Sequence, residues 1–205
     1  MSTWRRALGA LAAAGVAVLA MAGPAQAGIL VNEAQGCTSP ASRQVFLPWL
    51  DIARYVPAPG GAAESATGWK LAGGAAVIAG NEPWKVSGGG SHALALPTGS
   101  QATTTAMCVG IGHPTMRFFA RRTGGSVLSV LKVEVLFEGP LGLPLSLPIG
   151  AVVSGGAWQP TLPFPVVASL LPLLPGSMTP VAFRFTPVGG SWQVDDVYVD
   201  PWKAR

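Results

Sequence analysis

Apolar and polar residues alternate along much of this chain, and the clearest example lies between residues 127 and 138. One face of this stretch is apolar and the other carries charge: Val127, Leu131, Val133, Val135 and Phe137 share the first face, and Lys132, Glu134 and Glu138 share the second. A period of two residues is typical of a β-strand, because successive side chains point to opposite faces. The segment is therefore predicted to be a half-buried antiparallel strand.

Similar short runs recur along the chain, and glycine-rich turns separate them. The runs are Trp69–Ile78, His92–Leu96, Thr103–Ile111, Met116–Arg122, Ile149–Val153, Pro180–Thr186 and Trp192–Val199. About seven or eight short strands divided by Gly and Pro predict an all-β fold, an antiparallel β-sandwich of the jelly-roll type. Gly124-Gly125 reads as one such turn, and Gly189-Gly190 as the turn of a hairpin. Helix is expected only as single turns at residues 50–55 and 166–174.

The first 27 residues have a different character from the rest. Arg5 and Arg6 precede an uncharged apolar run, which ends at Gly23-Pro24 and the small-residue triplet Ala25-Gln26-Ala27. This order predicts a cleaved secretory signal peptide over residues 1–27, and it leaves residues 28–205 as one domain of a secreted, extracellular protein. The apolar run is too short for a comfortable membrane span, so no transmembrane segment is expected after cleavage.

Export changes the reading of the two cysteines and of the net charge. In an oxidising compartment, Cys37 and Cys108 are expected to form one structural disulfide, the alternative being two buried free thiols. The formal net charge of +4 falls to about +2 once Arg5 and Arg6 are removed. The remaining Lys and Arg residues are scattered, so nucleic acid is not an expected partner.

The segment from residue 139 to residue 183 contains no charged side chain. Its frequent prolines exclude a membrane helix. We favour two core strands with a packed Pro-rich loop. The alternative is an exposed apolar surface centred on Leu170, Leu171, Leu173 and Leu174, which would bind lipid, a wall polymer or a partner protein.

Asp195 and Asp196 lie together in the last predicted strand. A regular strand would point one of the two carboxylates at the core, and a buried unpaired carboxylate is costly. One solution is a structural Ca²⁺ held by Asp195 or Asp196 together with Glu64 and backbone carbonyls. The alternatives are backbone amides, an Arg such as Arg184, or a bulge that turns the carboxylate outward.

We find no catalytic signature in the sequence. His92 and His113 are the only histidines, and the adjacent Ser91 and His92 are expected to point to opposite faces of a strand. Nine acidic residues offer little material for a pair of catalytic carboxylates. The chain is therefore predicted not to be an enzyme.

Tryptophan is the residue type that suggests a ligand. Exposed aromatic rings bind the apolar faces of sugars. Trp84 lies in a polar loop beside Asn81-Glu82-Pro83 and Lys85, and Trp158 follows Gly155-Gly156. These two are the candidate ligand-binding residues, although most tryptophans in such folds belong to the core.

Several segments resemble a family of uncharacterised exported actinobacterial proteins. The matching pieces span nearly all of the mature chain: Cys37, Phe46, Trp49-Leu50-Asp51, Tyr55, Pro59-Gly60-Gly61, Gly68-Trp69, Gly80-Asn81-Glu82-Pro83, Cys108-Val109, Arg117-Phe118-Phe119-Ala120 and the run from Val194 to Pro201. This resemblance brings no known activity with it. More remotely, the glycine and tryptophan near the start of the mature chain, Gly68-Trp69, and the closing Asp-Asp-Val strand resemble jelly-roll carbohydrate-binding modules with a galactose-binding-like sandwich. That likeness implies a Ca²⁺ shared by Asp196 or Asp195 and Glu64.

Together these features favour a non-catalytic secreted binding domain for a glycan or a cell-envelope polymer. The alternative is a structural or interaction protein of the cell surface, which would use an apolar patch within residues 139–183.

Overall fold

A computed structural model of the protein describes residues 30, 34, 41–110, 115–139, 143–153, 155–166 and 178–200. The predicted signal peptide, Cys37, His113 and the leucines at 170–174 lie outside the described residues.

Eleven antiparallel strands make up nearly all the regular structure of the described residues. They are β1 (Val56–Pro57), β2 (Trp69–Ala72), β3 (Ala76–Ala79), β4 (His92–Leu96), β5 (Gln101–Thr104), β6 (Met107–Gly110), β7 (Thr115–Glu138), β8 (Pro144–Val152), β9 (Gln159–Pro160), β10 (Phe164–Pro165) and β11 (Met178–Val199). The predicted all-β, antiparallel sandwich of the jelly-roll type is confirmed.

Two long strands, β7 and β11, organise the sandwich. They pair with each other from Val181 opposite Phe137 to Val199 opposite Met116. The first half of β11 and the second half of β7 lie between β5 and β6 on one side and β8 on the other. β2 extends this layer beyond β5. The remaining halves form the second layer with β1, β3, β4, β9 and β10.

The two layers face each other across one apolar core. The ring of Phe118, in the first half of β7, lies 5.1 Å from the ring of Phe185, whose register partner on β7 is the distant Val133. This contact is possible only if the paired strands bend so that their two halves face each other. Buried residues from both halves fill the space, including Trp69, Leu94, Leu96, Met116, Leu131, Val133, Val135, Phe183, Trp192, Val194 and Val197.

Paired glycines lie at the bend of the two long strands. Gly124 and Gly125 lie opposite Ser191 and Gly190, within β7 and β11 rather than at strand ends. A Cβ on Gly125, which has φ +89°, would lie 2.4 Å from the Cα of Gly190. The turn predicted at Gly124-Gly125 and the hairpin predicted at Gly189-Gly190 are therefore wrong: these glycines allow two backbones to approach closely where the strands bend.

The predicted helical turn at residues 50–55 is also wrong. The structure has a 3₁₀ turn at Leu47–Trp49, and Leu50 ends it with φ 60°. The prediction for residues 166–174 lies almost entirely outside the described residues. No helix in the described part of the chain is long and apolar enough to cross a membrane.

Candidate binding surface and a buried carboxylate cluster

An aromatic surface covers the outer face of the second layer. Because Phe118 points into the core, its neighbour Phe119 points outward. The ring of Phe119 lies 5.6 Å from Phe46, 5.3 Å from Trp49 and 5.4 Å from Trp84. We use the term aromatic surface for the cluster Phe46, Trp49, Tyr55, Trp84, Phe119, Trp158 and Tyr198.

Trp84 is the most exposed ring of this aromatic surface. Its side chain is 46% exposed and meets Trp49 edge-on at 5.1 Å. Trp158 is half-buried, and the guanidinium of Arg121 lies 5.0 Å from its ring centroid. Arg121 Nε in turn donates a hydrogen bond to the amide oxygen Oε1 of Gln193 at 2.7 Å. The structure thus brings both predicted tryptophans to one surface, while their role in binding a ligand stays a prediction.

The sequence reasoning missed Trp49, Arg121 and Gln193 as members of this surface. A signal was present, because Phe118 and Phe119 are adjacent apolar residues in a strand. Such a pair indicates that both faces of the strand are covered. The sequence could not show which loops supply the cover.

Arg117 anchors the segment that carries Trp49. This buried side chain on β7 pairs with Asp51 Oδ2 at 2.5 Å, and the same carboxylate oxygen accepts the Tyr55 hydroxyl at 2.7 Å. Burial alone would raise the pKa of Asp51. The hydrogen bonds from Tyr55 and Arg117 outweigh burial and hold that pKa below its usual value.

Behind Trp84 lies a cluster of three fully buried carboxylates, Glu82, Asp195 and Asp196. The pairing of β11 with β7 shifts register between Asp195 and Tyr198, and Asp196 has φ 50°. This is a β-bulge, in which one strand has an extra residue. Val194 and Val197 therefore both reach the core, and neither carboxylate is directed into it.

The structure thus contains the bulge that was one of the sequence-based alternatives. The carboxylates are nevertheless buried, because residues 82–87 cover them.

The cluster holds the loop that presents Trp84. Glu82 Oε2 accepts the amide of Trp84 at 2.5 Å, and Glu82 Oε1 accepts the amide of Val86 at 2.8 Å. Asp195 Oδ2 accepts the amide of Glu82 at 3.1 Å. Asp196 Oδ2 lies at 3.4 Å from the amide of Ser87. Backbone amides thus donate hydrogen bonds to all three buried carboxylates. This is the second of the sequence-based alternatives to a bound Ca²⁺.

The surroundings of Asp195 and Asp196 favour the protonated form of these two carboxylates. Burial, and then the neighbouring charge of Asp196, raises the pKa of Asp195 to about 8. Burial, and then the hydrogen bond with Glu82, raises the pKa of Asp196 to about 7. Asp196 Oδ1 has no hydrogen-bond partner. Asp195 and Asp196 thus hold protons more tightly than ordinary carboxylates do.

The predicted calcium ligands are Glu64, Asp195 and Asp196, and Glu64 lies apart from the other two. Among the described residues, no group of three or more His, Cys, Asp and Glu side chains is arranged to hold a metal ion. Glu64 is engaged elsewhere, because its Oε1 accepts the amides of Ser91 and His92 at 2.8 and 3.1 Å. Calcium binding by Glu64, Asp195 and Asp196 stays a prediction.

Ser91 and His92 meet, contrary to the expectation that they point to opposite faces. Ser91 Oγ lies 2.9 Å from His92 Nδ1, and Glu64 Oε2 lies 3.3 Å from the same nitrogen. A catalytic triad needs the acid on one imidazole nitrogen and the nucleophile on the other. Here both groups share Nδ1, so the arrangement does not activate the serine.

Cys108 is buried in β6. Cys37 lies outside the described residues, so the bridge between them stays a prediction.

No protein-family model matches the chain, and no curated protein matches it. Its fold is similar to the CBM22-1 xylan-binding domain of Paenibacillus barcinonensis Xyn10C, with a TM-score of 0.48 and 13% identity over 69% of this chain and 90% of that one. It is also similar to the C-terminal family 22 carbohydrate-binding module of Clostridium thermocellum Xyn10B, with a TM-score of 0.44 and 13% identity over 74% and 93%.

A third similar structure is TmCBM61, solved with β-1,4-galactotriose, with a TM-score of 0.38 and 17% identity over 70% of this chain and 94% of that one. Likenesses of this size concern the arrangement of strands. They do not indicate what this chain binds.

Proposed function

We propose that this protein is a non-catalytic glycan-binding domain that acts outside the cell. The observation that carries the proposal is the aromatic surface, on which the 46% exposed ring of Trp84 stands edge-on to Trp49. A flat, partly exposed indole provides apolar contact for the CH groups of a sugar ring. Arg121 and Gln193, beside Trp158, supply polar groups for sugar hydroxyls.

The proposed location rests on the signal peptide predicted for residues 1–27, and a Cys37–Cys108 bridge would suit it. The ligand class we favour is an extracellular polysaccharide or a polymer of the cell envelope. A fixed aromatic surface suits such a ligand, because stacking on a preorganised ring loses little conformational entropy.

Retention on insoluble polysaccharides and isolated cell walls tests the proposal. We expect the exported protein to be retained and Trp84→Ala to reduce its affinity by roughly fivefold or more, since an aromatic contact is worth about 1 kcal/mol or more. The matched control is Leu128→Ala. Leu128 is 83% exposed in β7, and it is not part of the aromatic surface.

Absence of retention, or equal retention of wild type and Trp84→Ala, would contradict the proposal. Titrations that follow tryptophan fluorescence provide a second measurement. The ligand should alter the emission of the wild type and alter that of Trp84→Ala much less.

A second candidate function is supported by the apolar residues of the uncharged segment. Leu143, Leu145, Val153 and Leu162 are 60%, 46%, 73% and 82% exposed. Apolar side chains that are this exposed favour a structural or interaction protein of the cell surface, which would use this segment to contact its partner. A protein that stays monomeric and binds neither liposomes nor envelope extract would argue against this candidate.

A further inference from the structure

Arg121 lies beside Trp158 of the aromatic surface, and two contacts fix its guanidinium. Its neighbour Ala120 lies in the core, so the Arg121 side chain points to the outer face of the second layer. Arg121 Nε donates a hydrogen bond to Gln193 Oε1 at 2.7 Å, and the guanidinium carbon lies 5.0 Å from the centroid of the Trp158 ring. These contacts use one N–H group and one face of the guanidinium.

The two terminal nitrogens of Arg121 are left for another partner. Nη1 and Nη2 form no hydrogen bond with any described residue, and neither is among the buried atoms that lack a partner. Both nitrogens therefore reach solvent, although the side chain as a whole is half-buried. A planar guanidinium held in this way presents a fixed pair of donors.

No acidic side chain in the described part of the chain forms an ion pair with Arg121. The acid that follows Gln193 on the same side of β11 is Asp195. Its two oxygens accept the amides of Glu82 and Asp196 at 3.1 and 2.8 Å. This carboxylate is thus engaged with backbone amides and not with the guanidinium.

Glu33 is the one acidic residue outside the described ranges. The next residue, Ala34, packs against Ala182. Both neighbours of Ala182 in β11 lie in the core, so Ala182 faces outward from the first layer. Ala34 and Arg121 therefore lie on opposite sides of the sandwich, and the charge of Arg121 is open to a ligand.

Small side chains leave space beside the pair of Arg121 and Gln193. Arg121 on β7 lies opposite Gln193 on β11, which in turn lies opposite Ala95 on β4. The next residue of this row is Ala76 on β3. Residues opposite each other on paired strands point to the same side of a sheet. Because Ala95 is half-buried and Ala76 is exposed, a sugar ring can approach the pair along this row.

We propose that Arg121 binds a sugar carboxylate, so that the glycan held by the aromatic surface is an acidic one. This inference rests on the proposed function, because the aromatic surface holds the sugar chain itself. Nη1 and Nη2 can donate to the two oxygens of one carboxylate. Gln193 and Trp158 fix the guanidinium before the ligand arrives, which reduces the entropy lost on binding.

A single fixed cation beside an aromatic ring suits an isolated carboxylate on a sugar chain. Nucleic acid binding instead uses many phosphate contacts, and the ion-pair partners of the described residues leave no row of free cations beside Arg121. The structure therefore favours an acidic polysaccharide over a nucleic acid at this site.

Affinity electrophoresis in polygalacturonate tests the proposal. The methyl-esterified polymer is the matched ligand control, because it keeps the sugar backbone and loses the charge. We expect polygalacturonate to retard the exported protein more than the methyl ester does, and added salt to reduce this preference.

Arg121→Gln should raise the dissociation constant for polygalacturonate by roughly tenfold, since it removes a charge-assisted pair of hydrogen bonds. Its affinity for the methyl ester should stay at the wild-type value. Gln193→Ala is a second variant, which frees the Arg121 guanidinium and should raise the same constant by roughly threefold. Melting temperatures report whether both variants fold.

Arg122→Gln is the matched control variant. Arg122 follows Arg121 in β7, points to the other side of the strand and donates from Nη1 to the carbonyl oxygen of Ser126 at 2.8 Å. Its replacement removes the same charge and should leave the preference for polygalacturonate unchanged. An equal effect of Arg122→Gln would show general charge attraction and would overturn the proposal.

Equal retardation of the wild type by the two polymers, or an unchanged preference in folded Arg121→Gln, would also overturn it. These results are distinct from failure of the proposed function. A protein that is retained on insoluble polysaccharide through Trp84, but shows no preference for the acidic polymer, keeps the aromatic surface as a glycan site and loses the carboxylate at Arg121.

Discussion

At the scale of single residues, Glu82 positions the loop that presents Trp84, a role that the sequence did not predict. The sequence identifies Glu82 only as part of the polar loop beside Trp84. In the structure, its buried carboxylate accepts the amides of Trp84 and Val86. Glu82 is therefore a positioning residue for the aromatic surface, because it fixes the backbone that presents the Trp84 ring.

Replacing Glu82 by Ala should loosen this loop. The change leaves two amides without an acceptor and opens a cavity, so we expect the free energy of unfolding to fall by about 2–4 kcal/mol. Near-UV circular dichroism from the Trp49–Trp84 pair should also weaken. Urea unfolding and the near-UV spectrum measure the two effects.

Glu64→Ala is the matched control for this change. Glu64 also accepts two backbone amides, but it is exposed and lies outside the aromatic surface. We expect a small loss of stability and an unchanged tryptophan spectrum. If Glu82→Ala keeps the wild-type spectrum and stability, the positioning role is wrong.

At the scale of elements, the bend of β7 and β11 decides how the sandwich forms. Gly125 has φ +89° and lies where a side chain would collide with the backbone of Gly189 and Gly190. Gly125→Ala should therefore destabilise the protein by about 3 kcal/mol or more, through both steric overlap and backbone strain.

Gly155→Ala serves as its control, because a Cβ at Gly155 would have no atom within 4 Å. We expect the free energy of unfolding of this variant to lie within about 0.5 kcal/mol of the wild-type value. Thermal and urea unfolding of both variants provide the measurement. Equal stability of Gly125→Ala and wild type would show that the bend does not need a glycine there.

At the scale of the whole molecule, the buried carboxylates make stability depend on pH. In the native state the pKa values of Asp195 and Asp196 are raised to about 8 and about 7. The unfolded chain releases these protons near pH 4, so between about pH 4 and pH 8 the native state binds more protons than the unfolded state. Stability should therefore fall as pH rises across this window.

Melting temperatures from pH 5 to pH 8 in the presence of a chelator test this expectation. Asp196→Asn removes one titrating group and should flatten the profile. A wild-type profile that rises toward pH 8 would contradict the assigned protonation. Repeating the series with Ca²⁺ tests the calcium prediction separately, because a cation bound at these carboxylates would raise the melting temperature most at pH 8.

Local patterns predicted the strands because alternation reports directly which face of a strand is buried. Leu131, Val133 and Val135 lie in the core, as their period of two predicted. The same pattern misjudged Glu134, which is buried, because a residue on the outer face can be covered by its neighbours. The sequence predicts a hairpin at Gly189-Gly190, but these glycines lie within β11. The pattern could not separate the two cases, because glycine permits a chain reversal and a close backbone approach equally well.

The sequence by itself determined the all-β class, the faces of the strands and the exposure of Trp84, since these follow from local period and composition. Only the tertiary structure decided the bulge at Asp196, the burial of three carboxylates under one loop, and the meeting of Trp49 with Trp84. Each of these depends on residues far apart in the chain: Glu82 lies 113 residues before Asp195. A local pattern contains no information about which distant segment covers an outer face, so the aromatic surface became visible only in the folded protein.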